Sequence, residues 1–222
     1  IGSSNSNNLC YCATSLSTED SATLKTNVKW AKQFPSSPPS DATSANVSSF
    51  KIMVDSDNNT YVCGAFSGDS VPFGDIIAPD GRKHIQTALV VIMDTHGNVS
   101  QVITVQSTGD AFCEGLVLVS DGFYFSGTFT GDLEGDFASQ FTRDQLHHVR
   151  DNRTVRAYIV KYSLNGNVVT DSLQILGSES SFTEVVALGA DANDTLYLIG
   201  NFDGEVTFNP LSTTGGDRTT LS

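Results

Sequence analysis

The sequence predicts an all-β fold, because one strand–turn motif recurs three times in 222 residues. Its copies span Asp55–Phe73, Ser120–Phe137 and Asp191–Phe208. Superposed, they align four columns of identical residues: Tyr61, Tyr124 and Tyr197; Gly64, Gly127 and Gly200; Phe66, Phe129 and Phe202; and Phe73, Phe137 and Phe208. Repetition at an interval of about 63 to 73 residues indicates repeated supersecondary units that stack on one another.

Each unit reads as four short strands separated by turns rich in Gly, Asp, Asn and Ser. In the second unit the strands are 88–94, 99–105, 111–119 and 122–129, which predicts one small antiparallel sheet. The third unit repeats the pattern from residue 157, and its second strand is expected at 168–176. The first unit keeps the last three strands, from residues 28, 49 and 60. Helix is expected only for about a turn or two within 138–156, and Thr142 and Gln145 resemble a capping box that makes it possible at 142–149.

The first strands of these units are apolar on both faces, so a single sheet cannot bury them alone. A glycine inside a strand weakens pairing unless a bulge or a close neighbouring backbone requires it. The column of Gly64, Gly127 and Gly200 therefore predicts a packing site between sheets. Radial stacking of four-stranded sheets is the architecture of a β-propeller, and three units fall short of a closed one. An incomplete propeller, or part of a larger assembly, is expected.

The repeated pattern D-x-x-(G/N)-N-x-Y-V-x-G-x-F, with its aromatic closing column, resembles the SBBP-type repeat, a seven-bladed β-propeller-related repeat of extracellular proteins. The resemblance covers residues 28–209. It implies propeller blades and an extracellular protein, and it implies no activity. The second unit departs from the pattern by shortening its turn to Ser120–Gly122.

These observations divide the chain into five segments. They are a Ser/Asn-rich tether or partial strand at 1–20, unit 1 at 21–74, unit 2 at 75–137, unit 3 at 138–209 and a connector towards a next blade at 210–222. Two basic insertions, 75–87 and 138–156, join the units. They hold six of the twelve Lys and Arg residues: Arg82, Lys83, Arg143, Arg150, Arg153 and Arg156. We expect these residues to contact acidic faces of further blades or of identical subunits.

The net charge of -13 repels phosphate backbones and anionic lipids, so we expect neither nucleic acid nor membrane insertion. Five sequons predict N-linked glycans at Asn46, Asn58, Asn98, Asn152 and Asn193. Four cysteines, Cys10, Cys12, Cys63 and Cys113, predict at least one disulfide and leave three connectivities open. Together these features predict a secreted or cell-surface glycoprotein.

Two patterns are candidates for chemical sites, one for calcium binding and one for glycoside hydrolysis. Asp55, Asp57 and Asn59 alternate as calcium ligands do, but Thr60 replaces the glycine of an EF-hand loop, and Asp and Asn are common in turns. No cofactor is otherwise expected. Glu114 and Glu184 share a register in the repeat, and paired carboxylates hydrolyse glycosides. Residues that recur with a repeat more often belong to its construction, so we do not expect an enzyme.

The sequence therefore favours a non-enzymatic structural or adhesive module that acts through protein–protein contacts. A lectin-like propeller that binds carbohydrate is the alternative, and a polysaccharide-degrading propeller enzyme is the second.

Overall fold

The computed structural model describes residues 9–12, 30–33, 46–68, 71–78, 85–141, 154–169, 172–177, 182–204, 206–208 and 219–221. These residues form antiparallel strands and one short helix, α1 (Gly135–Ser139). The all-β prediction is confirmed for this part of the chain. Residues 142–149, where helix was expected, lie outside it, and the observed helix comes earlier.

Three sheets contain most of the strands. The first sheet holds β3 (Asn46–Val54), β4 (Thr60–Ser67), β7 (Thr87–Met93) and β8 (Val99–Ser107), with β11 (Leu133–Glu134) on the outer edge of β8. The second holds β9 (Ala111–Val119), β10 (Gly122–Thr130), β12 (Val155–Ser163) and β13 (Gln174–Leu176). The third is the hairpin of β14 (Thr183–Ala190) and β15 (Leu196–Phe202).

Three smaller strand pairs complete the described structure. They are β1 (Leu9–Cys12) with β2 (Trp30–Gln33), β5 (Pro72–Phe73) with β6 (Ile76–Ile77), and β16 (Val206–Phe208) with β17 (Thr219–Leu221).

The strands group differently from the units that the sequence predicted. The third and fourth strands of one predicted unit share a sheet with the first and second strands of the next, so each sheet is shifted by half a unit. The outer edge of β8 explains the shift, because β11 occupies it through the Leu133–Ser107 pair. The backbone of Gly109 also donates to the carbonyl of Thr130, away from β8. Strand β9 therefore cannot pair with β8 and starts a new sheet.

The strand expected at 168–176 is also shorter than predicted. Val168 makes only an isolated bridge to Tyr162, and β13 begins at Gln174. Ahead of β13, Ser172 donates its backbone N–H and its hydroxyl to the carbonyl of Val169.

The sheets stack in chain order, and each has two faces that we name by their neighbours. The leading face of a sheet points towards the preceding sheet, and the trailing face points towards the following one. Tyr61 and Cys63 on the trailing face of the first sheet pack against Leu116 and Phe123 on the leading face of the second. The rings of Tyr61 and Phe123 lie 5.2 Å apart. Buried aromatic pairs of this kind add to the hydrophobic term.

The second interface is smaller and more aliphatic. Val117 and Ile159 on the trailing face of the second sheet pack against Val185 and Leu188 on the leading face of the third. Strand β14 lies against β9, β10 and β12, as β9 lies against β3, β4 and β7. The same contact between sheets is therefore built twice.

A disulfide joins Cys63 to Cys113 across the first interface, with 5.5 Å between their Cα atoms. This is one of the pairings that the sequence left open. Cross-linking residues 50 apart removes chain entropy from the unfolded state, which stabilises the fold by about 4 kcal/mol. The side chains of Cys10 and Cys12 lie outside the described residues.

The glycine column has a cause inside each sheet rather than between sheets. In the hairpins β3–β4, β9–β10 and β14–β15 the register shifts by one residue, at Phe50, Glu114 and Val186 respectively. Beside each bulge, a Cβ on the column glycine would overlap a backbone carbonyl oxygen across the pair. The overlapping pairs are Gly64 with Ser48, Gly127 with Phe112, and Gly200 with Glu184. The expected packing site between sheets is thus replaced by a close approach of two paired strands.

These bulges also align the repeats in three dimensions. Ser49, Cys113 and Val185 precede the bulge in each copy, and Ile52, Leu116 and Leu188 follow it by two residues. Glu114 therefore corresponds to Val186, and Glu184 corresponds to Phe112. The shared register that the sequence assigned to Glu114 and Glu184 is wrong by two residues.

We expect Gly127→Ala to lower the free energy of unfolding by about 3 kcal/mol, because the added methyl overlaps a carbonyl that pairing holds in place. The matched control is Gly189→Ala in β14, where an added Cβ meets no atom within 4 Å. There we expect no loss, or a gain of up to about 1 kcal/mol, because alanine costs less backbone entropy than glycine. Urea denaturation of both variants measures the difference, and equal losses would contradict the close approach.

Candidate functional site

The trailing face of the third sheet exposes its apolar residues. Tyr197 is 57% exposed and Ile199 is 70% exposed, whereas Tyr61 and Cys63 at the equivalent positions of β4 are 2% and 0% exposed. Val186, at the bulge of β14, is half exposed as well. Gly189 on the same face has open space around it. Strand β15 pairs with β14 alone among the described strands. A clustered apolar patch next to a strand edge is a candidate contact surface.

The sequence placed Tyr197 in a column of repeated tyrosines and did not single out Ile199 or Val186. The signal was present, because Ile199 falls in the same column as Cys63 and Ser126. Those two side chains are buried under the following sheet, and Ile199 is not. Only the sheet order shows that no described sheet covers this third copy.

In the calcium candidate, the Asp55 carboxylate accepts hydrogen bonds from its own turn and from the tyrosine that follows. The carboxylate of Asp55 accepts bonds from the backbone N–H of Asp57 and of Asn59, at 2.9 and 2.8 Å. It also accepts from the Asn59 amide and from the Tyr61 hydroxyl, at 2.9 and 3.1 Å. An amide that donates its N–H₂ to Asp55 directs a donor, rather than an oxygen, at the site of a cation. In the described part of the chain, no group of three His, Cys, Asp or Glu side chains is arranged to hold a metal.

The same turn recurs in other hairpins. Asp191 accepts from the backbone N–H groups of Asn193 and Thr195 and from the Tyr197 hydroxyl, as Asp55 does in the first copy. These bonds lower the pKa of Asp191. Asp55 and Asp191 therefore stabilise the turns that precede Tyr61 and Tyr197.

A cavity of about 390 Å³ opens between the hairpin ends of the first two sheets. Asp55, Asp57 and Tyr61 line one side, and Leu118 and Leu164 line the other. Burial, together with the negative charges of Asp55 and Asp57, raises the pKa of Tyr61 to about 12. The hydroxyl of Tyr61 is thus a neutral donor over the physiological range. At the second interface the corresponding hairpin ends are tied together, because the hydroxyl and the backbone N–H of Ser120 donate to Asp194.

Glu114 and Glu184 influence each other electrostatically, although they are not equivalent in the repeat. Burial raises the pKa of Glu114, the charge of Glu184 raises it further, and a hydrogen bond from Thr128 opposes both. Oε2 of Glu114 is inaccessible to solvent and has no hydrogen-bond partner. The side chain of Glu184 accepts a bond of 3.1 Å from the Asn201 amide. A substrate cannot reach an enclosed oxygen, so this geometry offers no support for glycoside hydrolysis by the pair.

Three of the predicted glycosylation sites lie in hairpin turns. Asn58, Asn98 and Asn193 are exposed, and Asn58 has a φ of 64°, in the left-handed region. Asn98 donates from its amide nitrogen to Asp94. Asn46 begins β3 rather than lying in a turn, and Asn152 lies outside the described residues. Glycan attachment at all five remains a prediction.

The predicted assembly contacts lie mostly outside the described structure. They are Arg82, Lys83, Arg143, Arg150 and Arg153. Arg156 does not fit the surface role expected of it, because it is 1% exposed within β12. Its guanidinium lies 4.5 Å from the centre of the Phe129 ring and donates to the carbonyl of Gly131 at 2.5 Å. These contacts offset the cost of burying its charge.

Comparisons with known proteins identify no family for this chain. No protein-family model matches the chain, and a search of curated proteins finds no match. No described helix has both the length and the apolar character that crossing a membrane requires.

We expect the stability of the wild-type protein to fall, relative to Glu114→Gln, as the pH rises from about 4 to about 7. A carboxyl whose pKa is raised in the folded state binds its proton more tightly there than in the unfolded chain. Its contribution is therefore complete below the unfolded pKa and is lost as the pH rises through the folded one. Urea unfolding across this range measures the slope.

The control for this experiment is Glu184→Gln, which removes only the second cause of the shift. It should flatten the slope less than Glu114→Gln does. Identical pH profiles for the wild type and Glu114→Gln would show that this carboxyl does not titrate differently on folding.

Proposed function

We propose that the chain is a non-enzymatic structural or adhesive module of β-propeller type that acts through protein–protein contacts. The trailing face of the third sheet carries this proposal. The equivalents of its Tyr197 and Ile199 that have a following sheet are buried at Tyr61, Cys63 and Ser126 and partly buried at Tyr124. Burial of apolar surface is the main driving force of protein association, so an exposed apolar face gains free energy when another protein covers it.

The stacking of the sheets supports the propeller component of the proposal. The inner hairpins β3–β4, β9–β10 and β14–β15 repeat one bulge, one glycine and one face-to-face contact. The SBBP-type resemblance supports the same architecture. A module made of such units extends by adding sheets and needs no reactive group to act.

Secretion or display at the cell surface belongs to the same proposal. The Cys63–Cys113 disulfide joins two sheets inside the core. Structural disulfides persist in oxidising compartments, which is compatible with an extracellular protein. Asn193 lies in the turn before β15, so a glycan on this residue has to point away from the exposed face for that face to make protein contacts.

The proposal predicts protein contacts at Tyr197. A photo-reactive phenylalanine analogue replaces Tyr197, and the matched control carries it at the exposed turn residue Thr95. After irradiation of producing cells, we expect defined polypeptide adducts from position 197 at least about tenfold above those from position 95, because a buried interface holds the probe against one partner. Equal adduct yields from the two positions would contradict a protein contact at this face.

A second candidate is a lectin-like carbohydrate-binding module, and the cavity at Asp57 and Tyr61 favours it. Polar groups beside an apolar wall are the usual composition of a small-ligand site. If this reading holds, the wild-type protein binds a defined set of glycans on an array, and Asp57→Ala loses at least about tenfold in affinity by removing a charged hydrogen-bond acceptor. Uniform background on the array, or equal binding by Asp57→Ala, would count against a saccharide in this cavity.

A further inference from the structure

The first sheet exposes the counterpart of the contact that the third sheet lacks. Ile52 and Val54 lie on the leading face of β3 and are 39% and 40% exposed. Their equivalents in the second sheet, Leu116 and Leu118, belong to or pack against the first interface cluster. Their equivalents in the third sheet, Leu188 and Ala190, do the same at the second interface. Only on the first sheet is this pair of positions uncovered.

The two exposed surfaces correspond to the two sides of the contact that the fold builds between its own sheets. Within the chain, the leading face of an inner strand packs on the trailing face of the preceding sheet, first as β9 on β3 and β4, then as β14 on β9 and β10. The same chain presents an open trailing face at Tyr197 and Ile199 and an open leading face at Ile52 and Val54. Each interface inside the fold is therefore a template for a contact between two copies.

We propose that copies of this chain associate head to tail, with the trailing face of the third sheet of one copy packed on β3 of the next. This inference rests on the proposed function and names the partner of the same face. Val62, Leu89 and Val91 on the leading face of the first sheet are already buried. The contact is therefore confined to β3, the strand whose equivalents β9 and β14 make both internal contacts. Such an interface joins two different surfaces, so it generates rings or filaments.

The disulfide at the first internal interface serves as a template for the register of this contact. Cys63 of β4 lies opposite Cys113 of β9, with 5.5 Å between their Cα atoms. The residue in the column of Cys63 on β15 is Ile199, and the residue that corresponds to Cys113 on β3 is Ser49. Ser49 is exposed, as is Ile199. Ile199 of one copy should therefore face Ser49 of the next at a separation that a disulfide can span.

Cross-linking tests the register directly. In a Cys10→Ser/Cys12→Ser background, one preparation carries Ile199→Cys and another carries Ser49→Cys. Mixed under mild oxidation at micromolar concentration, they should form a covalent heterodimer at least about tenfold faster than either preparation alone forms a dimer, because the two thiols meet only between different positions. Both substitutions are at exposed sites, and circular dichroism is the check that each variant retains the fold.

The control for register pairs Ser49→Cys with Thr195→Cys, which is exposed on the same hairpin but ahead of β15. This pair should cross-link no faster than the single variants. Since each copy carries a charge of -13, heterodimer formation should increase when sodium chloride is raised to about 0.5 M, which screens the repulsion between copies.

Three outcomes would overturn the inference. Rapid homodimerisation of Ile199→Cys alone would show that the face pairs with itself. Equal rates for the Ser49 pairings with position 199 and position 195 would show that no defined register exists. Sedimentation of the wild type as a monomer at high protein concentration and high salt, with no heterodimer, would show that copies do not associate. If the photo-cross-link at position 197 then captures a different polypeptide, the proposed function stands and this inference alone fails.

Discussion

The contact between one sheet and the next depends on a local constraint inside each inner hairpin. A bulge at Phe50, Glu114 or Val186 draws a strand so close to its neighbour that only glycine fits across the pair. The extra residue reverses which side chains point to which face, because side chains alternate along a strand. Cys113 and Leu116 therefore share the leading face, although an odd number of positions, three, takes the chain from one to the other. Without the bulge, the two ends of β9 would present their apolar residues to opposite faces.

That geometry explains why stacking, rather than pairing at the edges, extends the structure. Once the inner strand carries apolar residues along its whole leading face, it covers the preceding sheet. The outer edge of β8 is meanwhile occupied by β11, and β9 begins a second layer that packs against β3, β4 and β7. A large part of the core consequently lies between sheets, in the clusters around Phe123 and around Val185.

The sequence was sufficient for the all-β class, since short apolar strands and turns rich in Gly, Asp and Asn record local constraints. It was not sufficient for the grouping of strands. Strand β9 was expected to pair with β8 in the second unit. The free edge of β8 is instead occupied by β11, a two-residue strand that leaves no periodic signal in the sequence. The register of Glu114 and Glu184 failed for a related reason, because a bulge is invisible to an alignment that matches residue types. The exposed face of β15 was likewise out of reach, because burial is a property of neighbours and Ile199 is as apolar as a core residue.

The repeated interface also weakens along the chain. At the first interface, Cys63 is bonded covalently to the sheet that covers it. At the second, Ser126 occupies the same column, and its hydroxyl is fully buried without a hydrogen-bond partner. An unsatisfied buried hydroxyl costs about 1 to 3 kcal/mol, so this interface holds its sheet less firmly. At the third copy the column residue is Ile199, which is neither cross-linked nor burdened by a polar group, and it faces solvent. Burial of an isoleucine in this column would contribute more free energy than burial of the serine does at the second interface, and this difference is what favours the proposed contact at Ile199.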